Sequence, residues 1–187
     1  SLPPRPCQTV GMIREHRYAL RSVWTGNRGS GTSGYRDYDR TVTVAVDGVV
    51  CGLSTCYDVR FPELYKQLAA AGAQLIVVPA SWAPGERKVE QWRSLAVARA
   101  LDATCFIVAV DQAEPPSDPD PLPGARRPTG VGHSLVVDPL GEILLELDAE
   151  PRLAVIDLDL DAVRTARAAL PVLANSRFTT ALGRPDR

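Results

Sequence analysis

Cys56 lies between an apolar stretch and a predicted helix, which is a position that suits a nucleophile. The apolar residues 49–53 predict a strand, and Pro62 favours the first turn of a helix. A cysteine in such a turn faces backbone N–H groups and the positive end of the helix dipole, which favour the thiolate. The same N–H groups could hold the oxyanion formed when a thiolate attacks a carbonyl. The pattern indicates nucleophilic catalysis, with a buried structural cysteine as the alternative.

The elements around Cys56 alternate between strands and helices. Residues 41–46 and 49–53 predict an antiparallel hairpin joined by the turn Asp47-Gly48. Phe61, Leu64, Tyr65 and Leu68 recur at helical spacing and predict one buried helix face, and Gly72 ends that helix. The later predictions are strand 75–78, helix 89–101, strand 105–110, hairpin 133–147, strand 153–157 and helix 160–170.

This order predicts a parallel α/β core with right-handed crossovers. Functional groups in such sheets gather at the carboxyl ends of the strands. Cys56, Ser81-Trp82 and Asp111-Gln112 each follow or end a predicted core strand, so we expect them to share one edge. Residues 113–130 are rich in proline and form a loop longer than a simple connection, which predicts a lid or an irregular segment.

Composition narrows the class of protein. The 187 residues are 45% hydrophobic and 23% charged, which is ordinary for a soluble globular protein, and the net charge of −1 gives no reason to expect nucleic acid or an anionic membrane as a partner. No apolar run is long enough to span a membrane, and we expect a cytoplasmic protein. Cys7, Cys51, Cys56 and Cys105 have no Cys-x-x-Cys spacing, so neither a disulfide framework nor a metal or cofactor site is expected.

Several motifs together resemble the nitrilase superfamily, the carbon–nitrogen hydrolases, from about residue 41 to about residue 178. The motifs occur in the family's order: Cys56-Tyr57-Asp58-Val59-Arg60-Phe61-Pro62-Glu63-Leu64, Gly72-Ala73-Gln74-Leu75-Ile76, Pro79-Ala80-Ser81-Trp82, Trp92 through Ala98-Arg99-Ala100, and Gly132-His133-Ser134 with Asp138-Pro139-Leu140-Gly141. The resemblance implies an α-β-β-α sandwich, incomplete at the N-terminus. It divides the chain into an irregular arm (1–40), the hydrolase domain (41–178) and a tail (179–187).

The resemblance also implies an activity, namely hydrolysis of a nonpeptide C–N bond in an amide or nitrile through a thioester acyl-enzyme. Cys56 then matches the nucleophile, and the backbone N–H of Tyr57 is a candidate oxyanion donor. Arg60 and Trp82 are expected at the substrate pocket. Asp37, in a weak match to the family's Gly-aromatic segment, is a candidate acid.

Some family residues have no counterpart in this sequence. The family's lysine precedes the cysteine, whereas the first lysine here is Lys66, and no match to the first family glutamate is found. The alternative is therefore a truncated or frameshifted remnant without activity that acts at most as an interaction subunit. An exposed core in such a chain predicts self-association, so a homo-oligomer is expected.

Other residues admit a structural and a chemical interpretation. Cys51 and Cys105 are expected in the core, and Arg60 and Glu63 could equally form a solvated helix start. His133 could form a dyad with Cys56, but a histidine at a strand start more often makes only local hydrogen bonds. Lys66 and Lys88 are not expected to replace the family's lysine.

Overall fold

The structure is a computed structural model that describes the backbone of residues 21–24 and the whole of residues 42–113 and 130–177. One sheet of seven strands runs through these residues, and its strands lie side by side in chain order. The strands are β1 (Arg21–Trp24), β2 (Val42–Val46), β3 (Val49–Leu53), β4 (Leu75–Ala80), β5 (Phe106–Asp111), β6 (Leu135–Val137) and β7 (Ile143–Glu146). The helices are a 3₁₀ helix (Cys56–Arg60), α1 (Pro62–Ala70), α2 (Lys88–Ala103) and α3 (Asp161–Ala169).

The sheet is mixed, with its parallel part in the centre. β3, β4 and β5 pair in parallel through the crossovers α1 and α2, whereas the outer strands on both sides pair antiparallel. Asp47 and Gly48 join β2 to β3 with φ angles of 48° and 83°, the left-handed values that a two-residue type I′ hairpin requires. The predicted α/β class, parallel core and hairpins are confirmed.

Both crossover helices pack against one face of the sheet and against each other. Their fully buried side chains form the core with the strand residues that point to the same face: Tyr65, Leu68, Trp92, Ala96, Ile76, Val78, Ile107 and Ala109. Gly52 permits close packing next to the site, because a Cβ there would lie 3.1 Å from atoms of Leu68 and Ile76. The hydrophobic spacing of the sequence therefore identified the buried face correctly, with one exception.

That exception is Phe61, which was predicted on the buried face of α1 but is 49% exposed. It precedes the helix in an extended conformation, with φ −111° and ψ 96°, and therefore does not follow the helical period. Its ring lies 5.8 Å from that of Tyr57 in an edge-on arrangement. Pro62 begins α1, as predicted.

The predicted strand 153–157 is wrong, because the structure has no strand there. The side chains of Leu153 and Val155 are 93% and 88% exposed. This segment borders a cleft of about 480 Å³ on the face of the sheet opposite the helices, together with Val108 and Val136. Alternating apolar residues favour a strand, but a strand also needs a neighbour to pair with, and residues 151–159 pair with none of the described strands.

Parts of other predictions lie outside the described residues. Asp37 and most of the Pro-rich loop, residues 114–129, belong to this group. The predicted arm 1–40 contains β1, which sequence analysis did not identify. The division at residues 40 and 178 stays a prediction. None of the described helices is both long and apolar enough to cross a bilayer.

Candidate active site

Cys56 follows the carboxyl end of β3 in a strained turn. Its φ angle is 46°, a left-handed value that residues with a Cβ seldom adopt. Such strain persists only where surrounding contacts enforce it, and it clusters at functional sites. The side chain is partly exposed and packs against the edge of the core. Cys56 is thus held at the start of the 3₁₀ helix as a partly exposed residue.

Hydrogen bonds on both sides of Cys56 brace this turn. The Asp58 carboxylate accepts from the Thr55 N–H at 3.0 Å, and the Asp58 N–H donates back to the Thr55 carbonyl at 2.9 Å. Ser54 is tied to β4 through its N–H, which donates to the Val77 carbonyl, and to α1 through a 2.6 Å hydroxyl contact with Tyr65. The geometry of a strand, a tight turn and a helix is thereby fixed around a single thiol.

Trp82 lies in the loop after β4, the neighbour of β3. Its backbone N–H donates to Oδ1 of Asp111 at 2.7 Å, and its indole N–H donates to the Lys88 carbonyl at 3.0 Å. The ring is 4% exposed and lies 5.4 Å from the ring of Trp92. The structure therefore places the Trp82 ring in the core, beneath the side chains that line the surface of this edge.

Two cations lie over the Trp82 ring. The guanidinium carbon of Arg60 is 4.9 Å from the ring centroid, and Nζ of Lys88 is 5.2 Å from it. Arg60 also lies 5.6 Å from the Tyr57 ring and donates to Oε1 of Gln91 at 3.0 Å. Cation–π contacts of this kind hold a guanidinium in place while leaving donors free for an anionic group.

A shallow cleft of about 420 Å³ opens beside Arg60. It is lined by residues of the 3₁₀ helix and of the first turns of α2: Arg60, Arg87, Glu90, Gln91, Ser94 and Leu95. Its two arginines outnumber its one carboxylate, so the cleft favours an anionic group.

Asp111 ends β5, and its carboxylate is buried, with 6% of the residue exposed. Oδ1 accepts from Trp82 and Oδ2 accepts from the Val131 N–H at 2.8 Å. Burial raises the pKa of Asp111 above its usual value, and the backbone N–H donors oppose this shift. Asp111 thus joins the loop after β4 to the segment that enters β6.

His133 faces Glu146 and not the thiol. Its Nδ1 lies 3.5 Å from Oε1 of Glu146, whose carboxylate also accepts from Nε of Arg93 at 3.0 Å. The hydrogen bond from Arg93 lowers the pKa of Glu146. The His133 carbonyl accepts from the Trp92 indole at 3.1 Å. The expectation of local hydrogen bonding is confirmed, and nothing in the described residues joins His133 to Cys56.

The structure brings the predicted edge together: Cys56 follows β3, Trp82 follows β4 and Asp111 ends β5, three adjacent parallel strands. Arg60, at the end of the 3₁₀ helix that begins with Cys56, packs over the ring of Trp82. Sequence analysis missed the place of Lys88 beside Trp82 and the hydrogen bonds of Asp111. A carboxylate at the end of an otherwise apolar strand was the available signal for the latter. Within residues 42–113 and 130–177, no group of three or more His, Cys, Asp or Glu is arranged to hold a metal ion.

Comparison with known proteins identifies the family of this chain. A sequence model of the carbon-nitrogen hydrolase family matches residues 10–168, and so includes part of the segment predicted as an irregular arm. A protein described only as a hydrolase in Mycobacterium tuberculosis is 52% identical over 136 residues, which cover 72% of this chain and 48% of that protein. The deaminated glutathione amidase of Escherichia coli O157:H7 is 39% identical, covering 71% and 46%. The 2-oxoglutaramate amidase of Paenarthrobacter nicotinovorans is 36% identical, covering 68% and 40%.

Solved structures agree with the sequence relatives. The yeast Nit3 structure, from branch 10 of the nitrilase superfamily, aligns with a TM-score of 0.63 at 28% identity over 75% of this chain and 48% of that one. An amidase of the same superfamily from Nesterenkonia aligns with a TM-score of 0.53 at 33% identity, covering 71% and 47%. The chain spans about half the length of the relatives it matches. With a family match over most of its length and a nitrilase-type α/β fold, the chain belongs to the carbon–nitrogen hydrolase family.

Proposed function

We propose that this chain hydrolyses amides through Cys56. The observation that carries the proposal is the strained, braced turn that holds a partly exposed cysteine after the carboxyl end of a parallel strand. In the proposed reaction the Cys56 thiolate attacks the amide carbonyl carbon, and the resulting oxyanion accepts a hydrogen bond from the Tyr57 N–H. The C–N bond then breaks, and the nitrogen leaves as ammonia or an amine with the proton that the thiol released.

The second half of the reaction restores the enzyme. The thioester left on Cys56 is attacked by water, the C–S bond breaks, and a carboxylic acid and the free thiol are produced. Asp37 remains the candidate acid of this site from sequence. Proton transfer needs a group whose pKa lies near the working pH and which is within hydrogen-bond reach of the proton. Substitution of Asp37 tests whether it has this role.

Arg60, at the end of the 3₁₀ helix that begins with Cys56, supports a substrate class. Two of the relatives named above are amidases of deaminated glutathione and of 2-oxoglutaramate, and both names denote amides that carry carboxylates. Arg60 is held over Trp82 at the cleft that it shares with Arg87. We therefore propose amides with a remote carboxylate as substrates and assign its recognition to Arg60.

Ammonia release from two amides of similar length tests both proposals. Succinamate carries a terminal carboxylate and butyramide does not. We expect the parent protein to hydrolyse succinamate and Cys56→Ala to release no ammonia above the uncatalysed rate. Arg60→Gln should reduce the preference for succinamate by about tenfold, since it removes one charge-assisted contact. Release that survives Cys56→Ala would contradict the nucleophile, and an unchanged preference in Arg60→Gln would contradict the carboxylate site.

The setting of the activity is also proposed. Cys51, Cys56 and Cys105 are all free thiols, which fits a reducing compartment such as the cytoplasm. The exposed Leu153 and Val155 support a homo-oligomer. The net charge of −1 supports a small-molecule substrate over nucleic acid. Fractionation of cells and sedimentation of the purified chain would test the first two points.

A further inference from the structure

We propose that Asp111 is a positioning residue, which holds the Trp82 loop and the entry to β6 in the places that the Cys56 edge requires. The inference rests on the proposed function, because it concerns how that reaction is supported. Asp111 does not contact the reacting atoms in this account. It acts through the backbone of the two segments that it joins.

The first step in the argument is the use of both carboxylate oxygens. Oδ1 accepts from the Trp82 N–H at 2.7 Å, and Oδ2 accepts from the Val131 N–H at 2.8 Å. These donors lie 29 and 20 residues away in sequence. A carboxylate is acceptor-only, whereas an asparagine amide offers one acceptor and one donor group. Because the two donors meet different oxygens of Asp111, an asparagine in the same place would turn its NH₂ group toward one of the two N–H donors.

The second step is the backbone bracing of Asp111 itself. Its N–H donates to Oγ of Ser134 at 3.0 Å, and the Ser134 hydroxyl donates to the Asp111 carbonyl at 3.2 Å. The next residue, Gln112, donates to the Ala80 carbonyl and accepts from the Gly132 N–H. The backbone that carries the Asp111 carboxylate is therefore held by hydrogen bonds to the segments of Ala80 and of Ser134. The carboxylate can then define the positions of the two loops.

The third step is the connection to Cys56. Trp82 lies beneath Arg60, with 4.9 Å between the ring centroid and the guanidinium carbon. Arg60 ends the 3₁₀ helix that Cys56 begins. A shift of the Trp82 loop would remove the support beneath Arg60 and alter the end of this short helix. Small displacements of this kind are costly for catalysis.

A chemically similar carboxylate at the other end of the sheet provides a matched control. Oδ1 of Asp138 accepts from the N–H groups of Leu140 and Glu142 in the turn between β6 and β7. Since β6 runs antiparallel to β5, this turn lies at the opposite end of β5 from Asp111. Asp138→Asn makes the same chemical change away from the Cys56 edge.

The experiment compares Asp111→Asn with Asp138→Asn by three readouts. One is the circular dichroism of the coupled indole pair Trp82–Trp92, which is sensitive to ring geometry. The others are the rate of Cys56 alkylation by iodoacetamide, mapped by peptide mass spectrometry, and kcat and KM for succinamate. We expect Asp111→Asn to change the indole signal and to slow alkylation and kcat by about tenfold or more, with Asp138→Asn within about twofold of the parent.

Two outcomes would overturn the proposal. One is an indole signal and alkylation rate in Asp111→Asn within about twofold of the parent. The other is an equal effect of the two variants, which would show general destabilisation. If Asp111→Asn fails to fold, Ser134→Ala replaces it, because this variant removes the hydroxyl that bonds to the Asp111 backbone. Ser134→Ala is expected to change the same readouts in the same direction by about threefold. No change in Ser134→Ala would refute the proposal. If the parent itself releases no ammonia, the proposed function fails, whereas the indole and alkylation readouts still decide the role of Asp111.

Discussion

Two regions of the sheet differ in whether their side chains have partners within the described chain. At the carboxyl edge of β3, β4 and β5, polar groups are buried and paired, as in the hydrogen bonds from Trp82 and Val131 to Asp111. On the face opposite the helices, Leu153 and Val155 are almost wholly exposed. The edge is built from contacts within the described chain, whereas the segment that borders the opposite face leaves the side chains of Leu153 and Val155 in solvent.

This difference predicts that substitutions at the edge affect the site more than substitutions on the apolar face. At the edge, local turns and two parallel crossovers bring the groups that follow β3, β4 and β5 together. Leu153 and Val155 on the apolar face are exposed in the single chain. Substitutions there should therefore have little effect on the stability of a single folded chain. Three substitutions and one labelling experiment test this contrast.

Truncation of Trp92 should have the largest effect on stability. Trp92 is fully buried, packs against Trp82 and donates to the His133 carbonyl, so it supports the edge from beneath. Trp92→Ala is expected to lower the free energy of unfolding by about 3–5 kcal/mol, because it leaves a cavity and an unpaired carbonyl. Urea denaturation measures this loss. A change below about 1 kcal/mol would contradict the central place of Trp92 in the core.

Removal of the Glu146 charge should have an intermediate effect that depends on pH. The hydrogen bond from Arg93 lowers the pKa of Glu146 below its ordinary 4.5. The stabilisation is therefore present above pH 4.5 and is lost as the pH falls through the lowered pKa of the folded state. Since Arg93 is partly exposed, Glu146→Gln is expected to cost only about 0.5–1 kcal/mol at neutral pH.

Urea denaturation of the parent and of Glu146→Gln at neutral pH and near pH 3 checks the sign of this effect. The difference in the free energy of unfolding between the two proteins should shrink at the acid pH. A difference that stays constant between the two conditions would show that the glutamate contributes by packing and not by charge.

Substitution on the apolar face should have the smallest effect. Leu153→Ser is expected to change the free energy of unfolding of the dilute chain by less than about 0.5 kcal/mol, because the side chain is already exposed. Leu68→Ser, at a fully buried position, is the matched control and should destabilise by several kcal/mol, about 3 or more. A large loss in Leu153→Ser at low concentration would show that the segment is covered within one chain.

The same two regions show how far the sequence could predict the structure. Features set by neighbouring residues were predicted: the Asp47-Gly48 hairpin, the helix start at Pro62 and the turn at Cys56. Phe61 was misplaced because it precedes the helix and does not share its period. The strand at 153–157 was wrong because pairing depends on a partner strand, which the pattern of one segment does not supply.

The positions of the three strand ends were predicted from the order of the elements. Parallel topology alone brings the ends of β3, β4 and β5 to one edge, so the convergence of Cys56, Trp82 and Asp111 followed from element order. The partners of Asp111 and the cations over Trp82 depend on loop conformations between distant residues. They could not be predicted from the sequence, because neither spacing nor composition determines which loop N–H meets which carboxylate.

Site-resolved alkylation most directly tests whether the edge sets Cys56 apart. Burial raises the pKa of the Cys51 thiol, and it raises that of Cys105 to about 12, so both should react slowly at neutral pH. With limiting iodoacetamide, peptide mass spectrometry should show Cys56 labelled at least about tenfold faster than Cys51 and about a hundredfold faster than Cys105. Equal labelling of Cys56 and Cys51 would contradict the account, because the strained turn would then confer no special reactivity on its thiol.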